Sequence, residues 1–222
     1  MTFQLKALAA VAVLAISGGA LAQKAGSLSV SVGVTNLKPD VTSGDLSAPS
    51  LPGSKVDVGG NTQLTGAVNY MVTDNINVHV PLGFGFKHNV TGAGAIAGTG
   101  VIATTKALPI TVIGQYRFME ANGKFRPYAG AGLSYARFYK ETGTAVLTAL
   151  TNPGGPATTL SFESKLAPTI QLGMIFNVND KMYVDASYTK TFLSTKGTLS
   201  TGQTLETKLN PTGLTLQVGY KF

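Results

Sequence analysis

The stretch Leu28-Ser29-Val30-Ser31-Val32-Gly33-Val34-Thr35 places an apolar side chain at every second position and a small or polar one between. That is the period of a β-strand whose two faces meet unlike surroundings. The pattern recurs seven times downstream. Leu64, Val68, Tyr70 and Val72 alternate with Gln63, Thr65, Ala67 and Asn69, and after Thr73-Asp74-Asn75 the run Ile76 to Phe86 sets its apolar residues against Asn77, His79 and Lys87. Leu108, Ile110, Val112, Tyr116 and Phe118 oppose Thr111, Gln115 and Arg117. Phe125, Ala129, Ala131, Leu133 and Tyr135 then follow the Asn122-Gly123 turn. Ile170, Leu172, Met174 and Phe176 oppose Thr169, Gln171 and Asn177. Val184, Ala186 and Tyr188 oppose Asp185, Ser187 and Thr189, and Leu214, Leu216, Val218, Tyr220 and Phe222 close the chain.

Eight such strands can close with the apolar face inward, as in a soluble ligand-binding barrel, or outward, as in a membrane barrel. Connection lengths choose between them. The links near residues 73, 121 and 179 are short, whereas 39–61, 88–103, 141–160 and 193–208 are long and rich in Gly, Ser, Thr and Pro. Short turns alternating with four long loops predict an all-β, eight-stranded antiparallel transmembrane barrel with periplasmic turns and extracellular loops. Aromatic residues near the strand ends, Tyr70, Phe84, Phe86, Tyr116, Phe118, Tyr135, Tyr188, Tyr220 and Phe222, suit interfacial girdles. Lipid cannot satisfy an open sheet edge, so the first and last strands must pair. Composition agrees: only 12% of residues are charged against 44% hydrophobic, where an ordinary soluble surface needs about a quarter charged.

Residues 1–22 read as a secretory signal peptide. Lys6 precedes the apolar run Ala7 to Ile16, and Ala20-Leu21-Ala22 forms a small-residue cleavage site. The mature chain is then 23–222, a single outer-membrane barrel, and loss of Lys6 takes the formal charge from +7 to +6. Nothing after residue 23 supplies the roughly 18 consecutive apolar residues of a membrane helix. The basic residues are scattered singly and form no nucleic-acid stripe. With no cysteine, disulfides, thiolate metal sites and cysteine nucleophiles are excluded.

Several segments resemble the OmpW family of small outer-membrane barrels: Gly33 to Asp40, Pro81 to His88, Thr105 to Pro109 with Gln115 to Phe118, and Phe125-Arg-Pro-Tyr-Ala-Gly-Ala-Gly-Leu-Ser-Tyr135. The closing run Asn210 to Phe222 also looks like the family's last strand. Two departures are plain. Pro109-Ile110 stands where the family tends to have a double proline, and Asn210-Pro-Thr212 where it tends to have Asp-Pro-Trp. The resemblance implies a barrel with a largely hydrophobic interior passage for small apolar molecules.

His79, Asp185 and Ser187 share the inward parity and are the raw material of a hydrolytic triad, but no nucleophile-elbow motif surrounds Ser187, and no enzyme is expected. His79 reads better as a packed lumenal group. Two histidines, His79 and His88, without acidic spacing give no metal site, and the glycine pairs, none between a strand and a helix, give no phosphate loop. No cofactor is expected. The predicted lumen-lining residues are His79, Lys87, Ile113, Arg117, Tyr128, Phe138, Lys165, Ile175 and Asp185, with Met71 beside them. Lys87, Arg117, Lys165 and Lys221 are expected to form plug-like ion pairs with Glu163 and Asp185. Val218, Tyr220 and Phe222 resemble an assembly signal read by the barrel-assembly machinery.

Eight strands enclose at most one small ligand, too little for a general porin. The expected partners are outer-membrane lipid, lipopolysaccharide and small hydrophobic molecules. The rival reading is a structural or surface-interaction barrel with a packed lumen, acting through its loops. The sequence does not set the oligomeric state.

Overall fold

In the computed structural model, which describes residues 24–222, the alternating segments become one closed antiparallel wall. The expected export segment lies outside the described residues. In chain order the elements are β1 (Leu28–Lys38), β2 (Thr42–Ser43), β3 (Ser54–Val58), β4 (Asn61–Met71), β5 (Ile76–Gly83), β6 (Phe86–Gly94), β7 (Val101–Arg117), β8 (Phe125–Gly143) and the short helix α1 (Ala145–Thr151). They continue with β9 (Leu160–Phe162), β10 (Lys165–Asn177), β11 (Met182–Thr191), β12 (Ser194–Leu199), β13 (Thr204–Lys208) and β14 (Thr212–Lys221). The membrane wall is the eight-stranded ring β1, β4, β5 with β6, β7, β8, β10, β11 and β14. It closes where β1 pairs both β4 and β14, with Leu28 opposite Tyr70 and Ser29 opposite Lys221. The first and last strands thus leave no free edge to lipid.

Alternation carries the apolar set to the outside. Val32, Val34, Leu64, Ile110, Val112, Leu133, Ile170, Leu172, Met174, Leu214 and Leu216 are all exposed. On β7 the outward row from Leu108 to Phe118 spans ten residue steps, about 33 Å along the strand, or about 25 Å of height at a barrel tilt near 40°. Tyr70, Tyr116, Phe118, Phe125, Phe176 and Tyr220 sit at the turn end of this belt, and Phe84, Tyr135 and Tyr188 near its loop end. Lys124 lies over the Phe176 ring at 5.4 Å, a cation held at the interface by an aromatic face.

The long connections depart from the expectation of plain loops. β2, β13, β12 and β9 form a four-stranded sheet beyond the belt, and β3 pairs with β6. Stretches such as Thr204-Leu-Glu-Thr-Lys208 keep the period of two with β-branched threonine, so the strand pattern continues past the membrane. Their inward residues, among them Val56, Val90, Ile102, Leu160, Phe162, Leu199 and Leu205, pack with Leu147 of α1 into the larger apolar core. Thr144 caps that helix, its Oγ1 accepting from Leu147 N.

A second departure lies between β5 and β6. His79 opposes Ile113 and Phe86 opposes Ala107, so seven steps on one strand answer six on β7. One extra residue at Gly83-Phe84-Gly85 flips every following side chain to the other face. Phe86 is therefore buried inside rather than in the girdle, and Lys87 is exposed outside rather than lining the lumen. Gly85 is required by close approach, because a Cβ there would collide with the Tyr139 phenol.

Candidate functional site

Inside the turn end of the barrel the inward residues are mostly amides, hydroxyls and charges, and they bond to one another across the ring. Asn77 Nδ2 donates to Asn69 Oδ1 (3.1 Å) and to Gln115 Oε1 (2.7 Å), and Gln115 Nε2 donates to Gln171 Oε1 (2.6 Å). His79 Nδ1 donates to Asn69 Oδ1 at 2.8 Å, since an amide oxygen can only accept. Tyr128 donates to Asp185 Oδ1 (2.9 Å), Tyr183 shares a hydrogen bond with Ser29 (3.1 Å), and Ser31 donates to Gln217 Oε1 (2.7 Å). All eight wall strands contribute. Fully buried Met71, Ile113 and Ile175 fill the space between, as do the Arg117 and Arg126 stems. Arg126 also reaches the Asp74 carbonyl at 2.6 Å, and Lys221 donates to Asn177 Oδ1 at 3.2 Å, which covers the periplasmic mouth. In a network this connected the bonds support one another in a low-dielectric interior.

Above the plug the lining becomes hydroxylic. Thr111, Ser134, Thr169 and Thr191 form a chain of hydrogen bonds at 2.7, 2.8 and 2.9 Å, and Thr35 bridges Thr65 and Thr215. These hydroxyls satisfy one another. A cavity of about 110 Å³ sits at this level, reaching down to His79, Ile113 and Asp185 and sideways to Leu82, Gly83 and Phe84. Leu37, Pro109, Ser134, Thr191 and Pro211 are shared with a second cavity of about 70 Å³, lined further up by Ala136, Phe138, Phe162, Leu193 and Leu209. His88 lies in that wall beyond the membrane belt and donates Nδ1 to the Gly59 carbonyl at 2.7 Å. Burial holds its pKa below the ordinary value, so the imidazole lines the cavity uncharged at neutral pH. A third cavity of about 70 Å³ lies between α1 and the extracellular strands, lined by Leu46, Val56, Ile96, Leu147 and Leu205 among others.

The predicted lining residues thus separate. His79, Ile113, Arg117, Tyr128, Ile175 and Asp185 meet in or on the plug, and Phe138 lies higher, its ring tilted against Phe162 with centroids 5.5 Å apart. Lys87 lies on the outer surface for the register reason given above. Lys165 is also exposed, at the joint of β9 with β10, where it pairs with Glu163 at 2.8 Å outside the narrow barrel. Of the expected ion pairs, Lys165 with Glu163 forms above the barrel, while Asp185 sits in the plug among amides and hydroxyls and accepts from Tyr128. Beyond the belt, ion pairs join Lys55 with Asp45, Lys165 with Glu163 and Lys190 with Asp40. Leu37, Pro109, Leu193, Leu209 and Pro211 were missed as lining residues. Their signal was the inward parity of the strands carried on beyond the hydroxyl level, as Leu37 continues Thr35 and Pro109 precedes Thr111.

The barrel, its lipid-facing belt and its two girdles define a small outer-membrane β-barrel protein. The OmpW family model matches residues 24–222. Outer membrane protein W of Vibrio cholerae serotype O1 is 32% identical over 220 residues, covering 96% of this chain and 97% of that protein. The crystal structure of OprG from Pseudomonas aeruginosa superimposes with a TM-score of 0.80 at 25% identity, over 90% of this chain and 97% of the other. The solid-state NMR structure of AlkL in lipid bilayers shares the fold, with a TM-score of 0.68 at 22% identity over 94% of each chain. The chain belongs to the OmpW family. It is an outer-membrane barrel, not an enzyme.

Proposed function

We propose that the barrel admits small apolar molecules from the extracellular side and releases them sideways into the membrane, without passing them through the plug. The observation that carries this reading is where the apolar cavities end. Below, they stop on the hydrogen-bonded layer of Asn69, Gln115 and Gln171, which offers an apolar molecule no favourable contact. To the side, the 110 Å³ cavity touches Leu82 and Phe84, whose side chains are exposed on the lipid face. The ladder of β5 with β7 ends at His79 and that of β6 with β7 begins at Phe86, leaving residues 80–85 without a partner on β7. Pro81 and Pro109 flank this seam and carry no backbone N–H to close it.

The size is right for weak, broad selection. An engineered cavity of about 150 Å³ takes a benzene, so the space here suits one short apolar segment at a time. Burying about 150 Å² of apolar surface yields about 4 kcal/mol before ordering costs. Affinity is then low enough for release. The family resemblance, which implies a hydrophobic passage, supports the same reading. The test is uptake of matched apolar and polar solutes by cells carrying the wild type, a Pro81→Ala/Pro109→Ala variant or no protein. Faster uptake of apolar solutes alone, reduced when the seam can zip, is expected. Equal uptake with and without the barrel would shift the reading to a surface-interaction protein.

A further inference from the structure

Lys87, Lys106 and Arg137 are the first charged side chains above the apolar belt on three adjacent strands. Lys87 lies directly opposite Lys106 across the β6–β7 ladder, and Arg137 opposes Leu108, two residues down β7 from Lys106, across the β7–β8 ladder. Cross-strand neighbours on one face have Cβ atoms about 5 Å apart, and like charges placed so are destabilising unless something neutralises them. Lys87 and Arg137 are exposed, Lys106 is half-buried, and Phe84, Ile110 and Tyr135 lie immediately below on the lipid face.

The protein's own acids are engaged elsewhere. Six Asp and Glu residues lie beyond the belt on this side: Asp40, Asp45, Asp57, Glu141, Glu163 and Glu206. Asp40 pairs with Lys190, Asp45 with Lys55 and Glu163 with Lys165, while Glu206 stands opposite Lys196. Asp57 accepts from Val58 N and Glu141 from Phe162 N. Lys55, Lys165, Lys190 and Lys196 each face an acid; on the β6–β7–β8 face three clustered cations form no ion pair with a described carboxylate.

We infer that Lys87, Lys106 and Arg137 form a binding site for the phosphate groups of an outer-leaflet glycolipid. The height fits, because a lipid whose acyl chains lie against Phe84, Ile110 and Tyr135 carries its phosphorylated head at the level of these cations. The chemistry fits as well. A guanidinium takes two phosphate oxygens in a fork, and two ammonium groups add point charges beside it. Tyr139, opposite Lys106, supplies a half-buried aromatic floor to the patch.

The test uses the purified mature barrel in neutral detergent and measures binding of bisphosphorylated lipid A, the same lipid with its phosphates removed, and inorganic phosphate. Each basic residue near an anionic surface is worth roughly fivefold in affinity, so Lys87→Gln/Lys106→Gln/Arg137→Gln should weaken lipid A binding about 100-fold. Lys55→Gln/Lys190→Gln/Lys196→Gln should leave it unchanged, and Lys87→Arg/Lys106→Arg should retain it. Should the triple variant fold poorly by heat-shifted gel migration, the single Lys87→Gln change, with its fivefold loss, is read instead. Equal binding of dephosphorylated lipid, undiminished binding by the first variant, or inorganic phosphate binding as tightly as the lipid would each overturn the assignment.

Discussion

Replacing Asn69 by leucine tests the idea that the lower lumen is one hydrogen-bonded unit rather than a set of separate polar contacts. Asn69 is buried on β4, and its Oδ1 accepts from Asn77 Nδ2, His79 Nδ1 and the Arg117 guanidinium (3.4 Å), while its Nδ2 donates to the Tyr183 hydroxyl at 3.3 Å. Leucine keeps the branched four-atom skeleton and removes all four bonds at once. The costs are unequal. Asn77 keeps Gln115 and Tyr183 keeps Ser29, and the Arg117 bond is long, so these three lose little. His79 Nδ1 loses the acceptor it has here, worth about 1–3 kcal/mol when buried. With smaller terms for the others, the total is about 3 kcal/mol, more than 100-fold in the folding equilibrium. Urea unfolding in lipid vesicles, followed by the gel shift between folded and unfolded barrel, measures it. Asn36→Leu is the control, because Asn36 donates to Thr62 Oγ1 at an exposed site where the loss should be within about 0.5 kcal/mol. If the two variants unfold at the same urea concentration, the plug is not a unit and the reasoning fails.

Three further outcomes are expected. Phe138→Glu, in the upper cavity, and Ile113→Lys, at the floor of the middle one, should cut uptake of apolar solutes while the folded barrel still reaches the outer membrane; uptake at the wild-type rate would count against the passage. Gly219→Ala places a Cβ against the Tyr183 ring and should destabilise the barrel by about 1–3 kcal/mol through overpacking, whereas Gly59→Ala, exposed and with its nearest neighbour at ordinary contact distance (3.7 Å), should cost less, a ranking that parallel urea titrations decide. Deleting Phe222, whose amide donates to the Leu28 carbonyl at 2.9 Å and whose ring packs edge-on against Tyr220, should slow insertion by the assembly machinery more than it lowers urea resistance; normal insertion kinetics in a pulse-labelled membrane assay would remove that role.

What the sequence determined by itself is everything that depends on a local period. Alternation in Leu28 to Thr35 and its seven repeats marks the strands. The lengths of the connections orient the barrel, and the shortage of charge says that lipid, not water, covers the apolar face. Closure follows because hydrocarbon cannot pair a free strand edge. Tertiary structure alone decided whatever depends on which side chains meet. Lys87 lies outside and Phe86 inside because one extra residue at Gly83 to Gly85 changes parity, and an extra residue can be recognised only against the β7 partner that fails to answer it. The plug joins Ser31 to Gln217, 186 positions apart, and Asn69 to Tyr183. The inward parity of those residues was legible, but their bonds depend on the register of a closed ring. The same holds for the cavities: Leu37, Phe138 and Leu193 line one space because three stretches distant in the chain come to one height, and a one-dimensional pattern carries no height.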